Sequence, residues 1–249
     1  MNAPSTESGT PGPGQPMTDA AIARLINTLR AANKQVGDNV DAFLATVTMA
    51  AGQHVPGTEH VGITLVERGK QVRSQSATDI RPLILDGIQQ RCKCGPVLDL
   101  DDDHPARHVD DFVVETRWPT FVGPVLACSP IRSMLSFQLF SFDGIRGVLN
   151  VYATEPHVFP ADATRIGEVL AAETLLALQH DGSELLSPSD GADPVEHASR
   201  ILMDRYYIDK LDAYSLLVRL AKGSGHTVAA AARRLIQADP SDDQPEVPR

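Results

Sequence analysis

Apolar positions recur at helical spacing toward both ends of the chain and at strand spacing in its middle. Between residues 18 and 30, Ile22, Leu25, Ile26 and Leu29 form one stripe, and Thr18 stands where a helix cap belongs. A second helix is predicted after Asn39, with Val40, Phe43, Leu44 and Val47 on one face. "HVGITLVERGKQVRSQSA" reads as two β-rich runs around Arg68-Gly69-Lys70, a hairpin. Pro82 suits the first turn of a short helix carrying Leu83, Ile84 and Ile88. "GPVLDL" reads as a strand and "DDDHPARHVDD" as a polar loop. "SMLSFQLFSF" and "RGVLNVYA" form a second hairpin about Asp143-Gly144, whose glycine takes positive φ without penalty. Residues 162–180 form a helix with Ile166, Val169, Leu170, Leu176 and Ala177 inward.

Three more helices are predicted beyond residue 194. Asp209 and Asp212 form a capping pair at the start of the middle one, and Gly223 and Gly225 separate it from the last. The last, "HTVAAAARRLIQ", gathers Val228, Ala231, Ala232, Leu235 and Ile236 on one face and leaves Arg233 and Arg234 outside it. The expected organisation is a disordered tail (1–16), an α+β body (17–182), a linker (183–193), a three-helix domain (194–238) and an acidic disordered tail (239–249). So small a helical domain is marginal alone, which calls for docking or oligomerisation.

The 249 residues are 42% hydrophobic, enough for a folded core. No run approaches the roughly 18 apolar residues of a membrane helix. The first residues lack the basic-then-apolar order of a secretory leader, and three cysteines do not make a disulfide framework. These features predict a cytoplasmic protein without a membrane partner. Charge then changes the picture. The chain totals −10, yet residues 195–238 carry seven basic side chains against four acidic ones. A basic module on an acidic body points to a polyanion held locally by that module.

Other chemistry is poorly marked. Cys92 and Cys94 alternate sides if extended and give half of a zinc signature, so no metal site is expected, even with His104 and His108 near. Lys93 is a possible activator for a thiol enzyme, although the remaining pattern of such an enzyme is not evident. Cys128 is expected in or near the core. Asp99, Asp101, Asp102, Asp103, Asp110 and Asp111 lack the calcium-loop pattern and read as a solvated loop. No phosphate-binding glycine loop and no nucleophile elbow occur. The reading is therefore a non-enzyme without a cofactor. Phe112, Trp118, Phe121 and Phe137 are candidates to line a ligand pocket or, equally, to form core.

"RWPTF", "IRSMLSF", "GVLNVYA" and "FPADATRIGEVLA" occur in an order that resembles the GAF domain of actinobacterial GAF–ANTAR regulators. Val97 stands where those proteins usually have a cysteine. "HASRILMDRYYIDKLDAYSLLVRLAKGSGHTVAAAARRLI" resembles the ANTAR domain, an RNA-binding antiterminator module, with Ala198, Leu202, Met203, Ala213, Leu216, Leu217, Arg219 and Ala232 at favoured positions. Two departures stand out: Arg200 replaces a usual glycine, and Gly225 replaces a usual asparagine before the third helix. The resemblance implies a GAF-like antiparallel sheet flanked by helices, followed by a three-helix ANTAR-like domain. It implies a transcription antitermination regulator acting as a homodimer on RNA hairpins. The RNA-binding candidates are Arg200, Arg205, Arg219, Lys222, His226, Arg233 and Arg234, with Tyr206 and Tyr207 as stacking rings and Tyr214 assigned to core. The helices at 18–30 and 162–180 are the expected dimer surface. The alternatives are a ligand-sensing GAF protein without RNA binding and a methionine sulfoxide reductase-like thiol enzyme.

Overall fold

The computed structural model describes residues 19–36, 39–142, 144–178 and 193–238. The expected tails (1–16 and 239–249), nearly all of the linker, Thr18 and Asp143 lie outside the described residues.

A five-stranded antiparallel sheet forms the centre. Its strands are β1 (His60–Glu67), β2 (Gln71–Ala77), β3 (Ala106–Val109), β4 (Ser133–Phe142) and β5 (Ile145–Ala153), in the order β2-β1-β5-β4-β3. Both predicted hairpins are present. Gly69 and Gly144 take φ values of 72° and 80° in the two turns, where a Cβ would be strained.

One face of the sheet is covered by α1 (Asp19–Val36), α2 (Val40–His54) and α5 (Ala161–Leu178). Asn39 caps α2 by accepting from the Ala42 amide at 3.0 Å, as its position before the apolar stripe predicts. Leu25, Leu29, Phe43 and Leu170 are buried together with Phe137 of β4. Arg30 of α1 grips Glu173 of α5 with two hydrogen bonds of 2.8 and 2.9 Å. Leu25 and Leu29 of α1 and Ile166 and Leu170 of α5 are thus buried within the chain, whereas Ile22 and Ile26 are half-buried and Leu176, expected inward, is 51% exposed.

The other face carries α3 (Ile80–Cys92) and α4 (Pro119–Cys128). Helix α3 is longer than predicted because Asp79 caps it by accepting from the Arg81 amide at 2.8 Å. Helix α4 was not foreseen; Pro119 starts it, where a missing N–H costs nothing. "GPVLDL" is a chain of turns rather than a strand. The Gln89 side chain accepts from the Val97 amide, and the Leu98 and Asp99 amides return to the Gly95 carbonyl, so no strand partner is needed. The strand on that side, β3, lies in the stretch read as a polar loop. It is an edge strand with only Val109 buried, so it lacks an apolar signature.

Three helices follow: α6 (Pro194–Tyr206), α7 (Lys210–Ser224) and α8 (Val228–Gln237). Asp209 caps α7 by accepting from the Asp212 amide at 2.9 Å, and Gly225 closes it at φ 67°. Gly223 lies within α7 rather than after it. Val195, Leu202, Leu217, Val228 and Ala232 form their shared core, which continues into Ala77 of β2 and Leu83 of α3. The helical segment is therefore docked along the β2 edge of the sheet, which it covers.

Candidate nucleic-acid interface

The predicted RNA-facing residues separate into two groups. Arg200, Arg219, Lys222 and Arg234 are exposed, and among the described residues none meets a carboxylate. Arg219 and Lys222 are three residues apart on α7 and share its solvent side, whereas Arg200 and Arg234 stand on the solvent sides of α6 and α8. The cations therefore wrap the outside of the helical segment instead of forming one plane. Arg205 is exposed and already engaged. His226 is half-buried behind the end of α7, its amide bonded to the Ala221 carbonyl at 3.1 Å.

Arg233 does not belong to the outward set. Neighbours on a helix diverge by about 100°, so one of an adjacent pair turns toward the flank. Arg233 turns to α2, where its Nη2 lies 3.1 Å from Asp41 Oδ2. The same Asp41 accepts a hydrogen bond from the Thr227 hydroxyl at 2.9 Å, and Thr227 caps α8 by accepting from the Ala230 amide at 3.1 Å. Gln75 of β2 also donates to Asp41. One carboxylate on the body thus holds both the first turn and the flank of the last helix.

Two aromatic rings are left in water at the end of α6: Tyr206 is 57% exposed and Tyr207 is 94% exposed. Tyr207 takes a left-handed φ of 52° as the C-cap of α6, a conformation uncommon outside glycine and asparagine. Tyr214 is core, as its place beside Leu217 predicts; it is 3% exposed and its hydroxyl donates to Glu196. Burial, then that hydrogen bond, pushes its phenol well above the ordinary tyrosine range. Gly225 occupies the left-handed position that asparagine also tolerates, so the cap survives the departure while the side chain is lost.

The four aromatic pocket candidates are not one group. Phe112, Trp118 and Phe121 pack together on the α3–α4 side, with Phe112 and Phe121 edge to face at 5.8 Å between ring centroids. Phe137 is on the opposite face beneath Gly167 of α5. All four are buried.

Sequence reasoning missed a polar network beneath α3. Asp86 accepts from the Thr64 hydroxyl at 2.8 Å and from the Ser74 hydroxyl at 2.6 Å, and Asn150 donates to the Thr64 hydroxyl at 2.9 Å. Burial pushes the Asp86 carboxyl up to about 7; the two hydroxyls pull it down, and the charge of Asp193 adds to the rise. An Asp set among Leu83, Ile84, Leu85 and Ile88 in "RPLILDGIQQ" is the signal that marks it.

Cys92 and Cys94 do not diverge. Lys93 ends α3 in the left-handed conformation at φ 53°, turning the chain back so that the sulfurs lie 3.2 Å apart. Burial raises the Cys92 thiol above its usual range. Cys128 is exposed, not core, at the end of α4. The acidic loop is exposed, as its composition predicts, except for buried Asp111; Asp99 pairs with Arg107 and Asp111 with Arg132. Among the described residues no three His, Cys, Asp or Glu side chains are placed to hold a metal ion, and no helix is long and apolar enough to cross a membrane.

No protein-family model matches the chain, and no curated protein matches it significantly. Solved structures similar to it include the GAF domain of a phosphoenolpyruvate-protein phosphotransferase from Coxiella burnetii, at 12% identity and a TM-score of 0.49 over 67% of this chain and 98% of that one. The phycoerythrobilin-bound GAF domain of a cyanobacterial phytochrome gives 11% and 0.48 over 66% and 97%. The free methionine-R-sulfoxide reductase of Neisseria meningitidis, in complex with its substrate, gives 17% and 0.48 over 68% and 96%. Likeness at this level says nothing of activity, ligand or partner.

Proposed function

We propose that this chain is an RNA-binding regulator of the GAF–ANTAR kind, in which the α+β body carries the helical segment and α6–α8 bind hairpin RNA. The observation that carries this reading is the Tyr206–Tyr207 pair. A ring almost wholly in water, held by a left-handed backbone at a helix end, is costly as structure and well suited to stacking on an unpaired loop base. Arg219 and Lys222 on α7, with Arg200 and Arg234 to either side, supply the phosphate contacts. Binding one RNA fold in preference to a competing one shifts their balance by the difference in affinity and no more. A second chain would raise the effective concentration at tandem hairpins.

The test is a titration of the full chain with a hairpin RNA at two salt concentrations. Four phosphate contacts give a log–log salt slope of about −3 to −4. Saturable, salt-sensitive binding that prefers the hairpin to its linear complement supports the reading. Binding absent at micromolar protein and low salt overturns it and leaves the body as a sensing module without an RNA partner.

A further inference from the structure

Where the helical segment docks on the body, the two surfaces do not close. A cavity of about 240 Å³ remains between β2 and α3 on one side and α6 and α7 on the other. Its polar walls are Ser74, Asp86, Gln90 and Arg91 from the body and Asp193, Glu196, Lys210 and Tyr214 from the helical segment. Val72, Leu83 and Val195 give it apolar patches. Gly87 leaves part of the α3 wall without a side chain: a Cβ there would lie 3.8 Å from Arg91 and 4.0 Å from the Tyr214 hydroxyl, in open contact with both.

The charges in this cavity are unevenly matched. Glu196 is answered by Lys210 at 2.8 Å and by the Tyr214 hydroxyl. Asp86 is buried, 3% exposed, and accepts from the hydroxyls of Ser74 and Thr64; among the described residues no cation meets it. Asp193, the α6 cap, accepts from the Val195 amide at 2.9 Å. Burial lifts its carboxyl to about 6, with the charge of Glu196 adding to the rise and that of Arg73 opposing it. Lys210 is already spent on Glu196, and Arg91 is exposed at the rim, so neither fills the need at the floor. A buried carboxylate without a counter-charge is among the costlier arrangements in a protein interior.

We propose that this cavity binds a small organic cation, an ammonium or guanidinium group on a short apolar stem. The charged head meets Asp86 and Asp193, and the stem lies along Val72, Leu83 and Val195. An organic head offers several N–H donors to the two carboxylates and its stem matches the apolar patches, which favours it over a bare cation. Because the walls come from both the body and the helical segment, an occupied site ties them together. This assignment stands apart from RNA binding and is tested without RNA.

The experiment is calorimetric titration of the full chain with isoamylamine, with isoamyl alcohol as the uncharged control. The amine binds saturably in the millimolar range or below and raises the melting temperature; the alcohol does neither. Binding at neutral pH drives a proton from the carboxylates, whose neighbours are Ser74, Thr64, Tyr152, Glu196, Tyr214, Lys210, Arg73 and Arg91. The observed heat therefore changes with the ionisation enthalpy of the buffer. Asp86→Asn weakens binding by about tenfold or more. Gly87→Leu fills the space and abolishes binding while the chain still melts cooperatively, which guards against a variant that merely unfolds. No saturable heat with the amine overturns the proposal, as does a Gly87→Leu chain that binds as tightly as the original.

Discussion

Asp41 of α2 and Arg233 of α8 are joined across the boundary between the body and the helical segment, Oδ2 to Nη2 at 3.1 Å, with Thr227 bonded to the same carboxylate. A cation that the family resemblance assigns to an RNA surface is thus part of the docking contact. Asp41→Ala loosens α8 without touching the outward arginines. The half-exposed ion pair contributes about 0.2–1 kcal/mol, and the Thr227 cap it steadies about 1 kcal/mol more. Hydrogen exchange of α8 amides checks this: faster exchange in α8 than in β4 or β5 is expected, and equal protection contradicts the latch.

Stability falls as pH rises through the weakly acidic range. Asp86 and Asp193 have folded-state values raised above the ordinary carboxylate range, to about 7 and about 6. Below about pH 4 both are protonated in the folded and the unfolded chain, and their stabilisation relative to the ionised state is fully present. Between about 4 and 7 the unfolded chain releases the protons first, so stability declines; above 7 the decline ends. Melting temperature against pH for the wild type and Asp86→Asn measures this, and the variant shows the shallower slope.

Gly167 allows α5 to lie on the sheet, because a Cβ there would come within 2.3 Å of the Phe137 ring. Gly167→Ala forces the helix off β4 and costs about 1–3 kcal/mol by overpacking. A lower urea midpoint with unchanged slope is the expected result.

The three thiols react in order. Cys128, exposed, is alkylated first, and Cys92, raised by burial, last. The 3.2 Å separation of Cys92 and Cys94 also predicts that one phenylarsine oxide bridges them, protecting both from alkylation while Cys128 still reacts. Mass spectrometry of the labelled chain reads the order and the bridge.

Much of the architecture is legible along the chain because periodicity reports burial. Both long hairpins, the helices at each end and the Asn39 and Asp209 caps stand where local chemistry puts them. What was hidden depends on contacts that helix and strand periodicity does not report. β3 is a strand because β4 offers it an edge, and Val97 is buried in a turn because Gln89 satisfies its amide. The exposed tyrosines were legible as aromatic residues in a basic segment. The Asp41 latch joins residues 192 positions apart, and nothing local marks it.

The central claim is that the outward cations and tyrosines of α6–α8 bind RNA while Arg233 holds the fold. Hairpin-RNA affinity of three full-chain variants at one low salt concentration tests it most directly. Tyr207→Ala should lose about 1–3 kcal/mol of binding. Arg219→Ala with Arg234→Ala should bind more weakly and with a salt slope shallower by about 2. Arg233→Ala, once confirmed folded, should keep nearly the wild-type affinity. Equal losses in all three, or loss only with Arg233→Ala, would contradict the account.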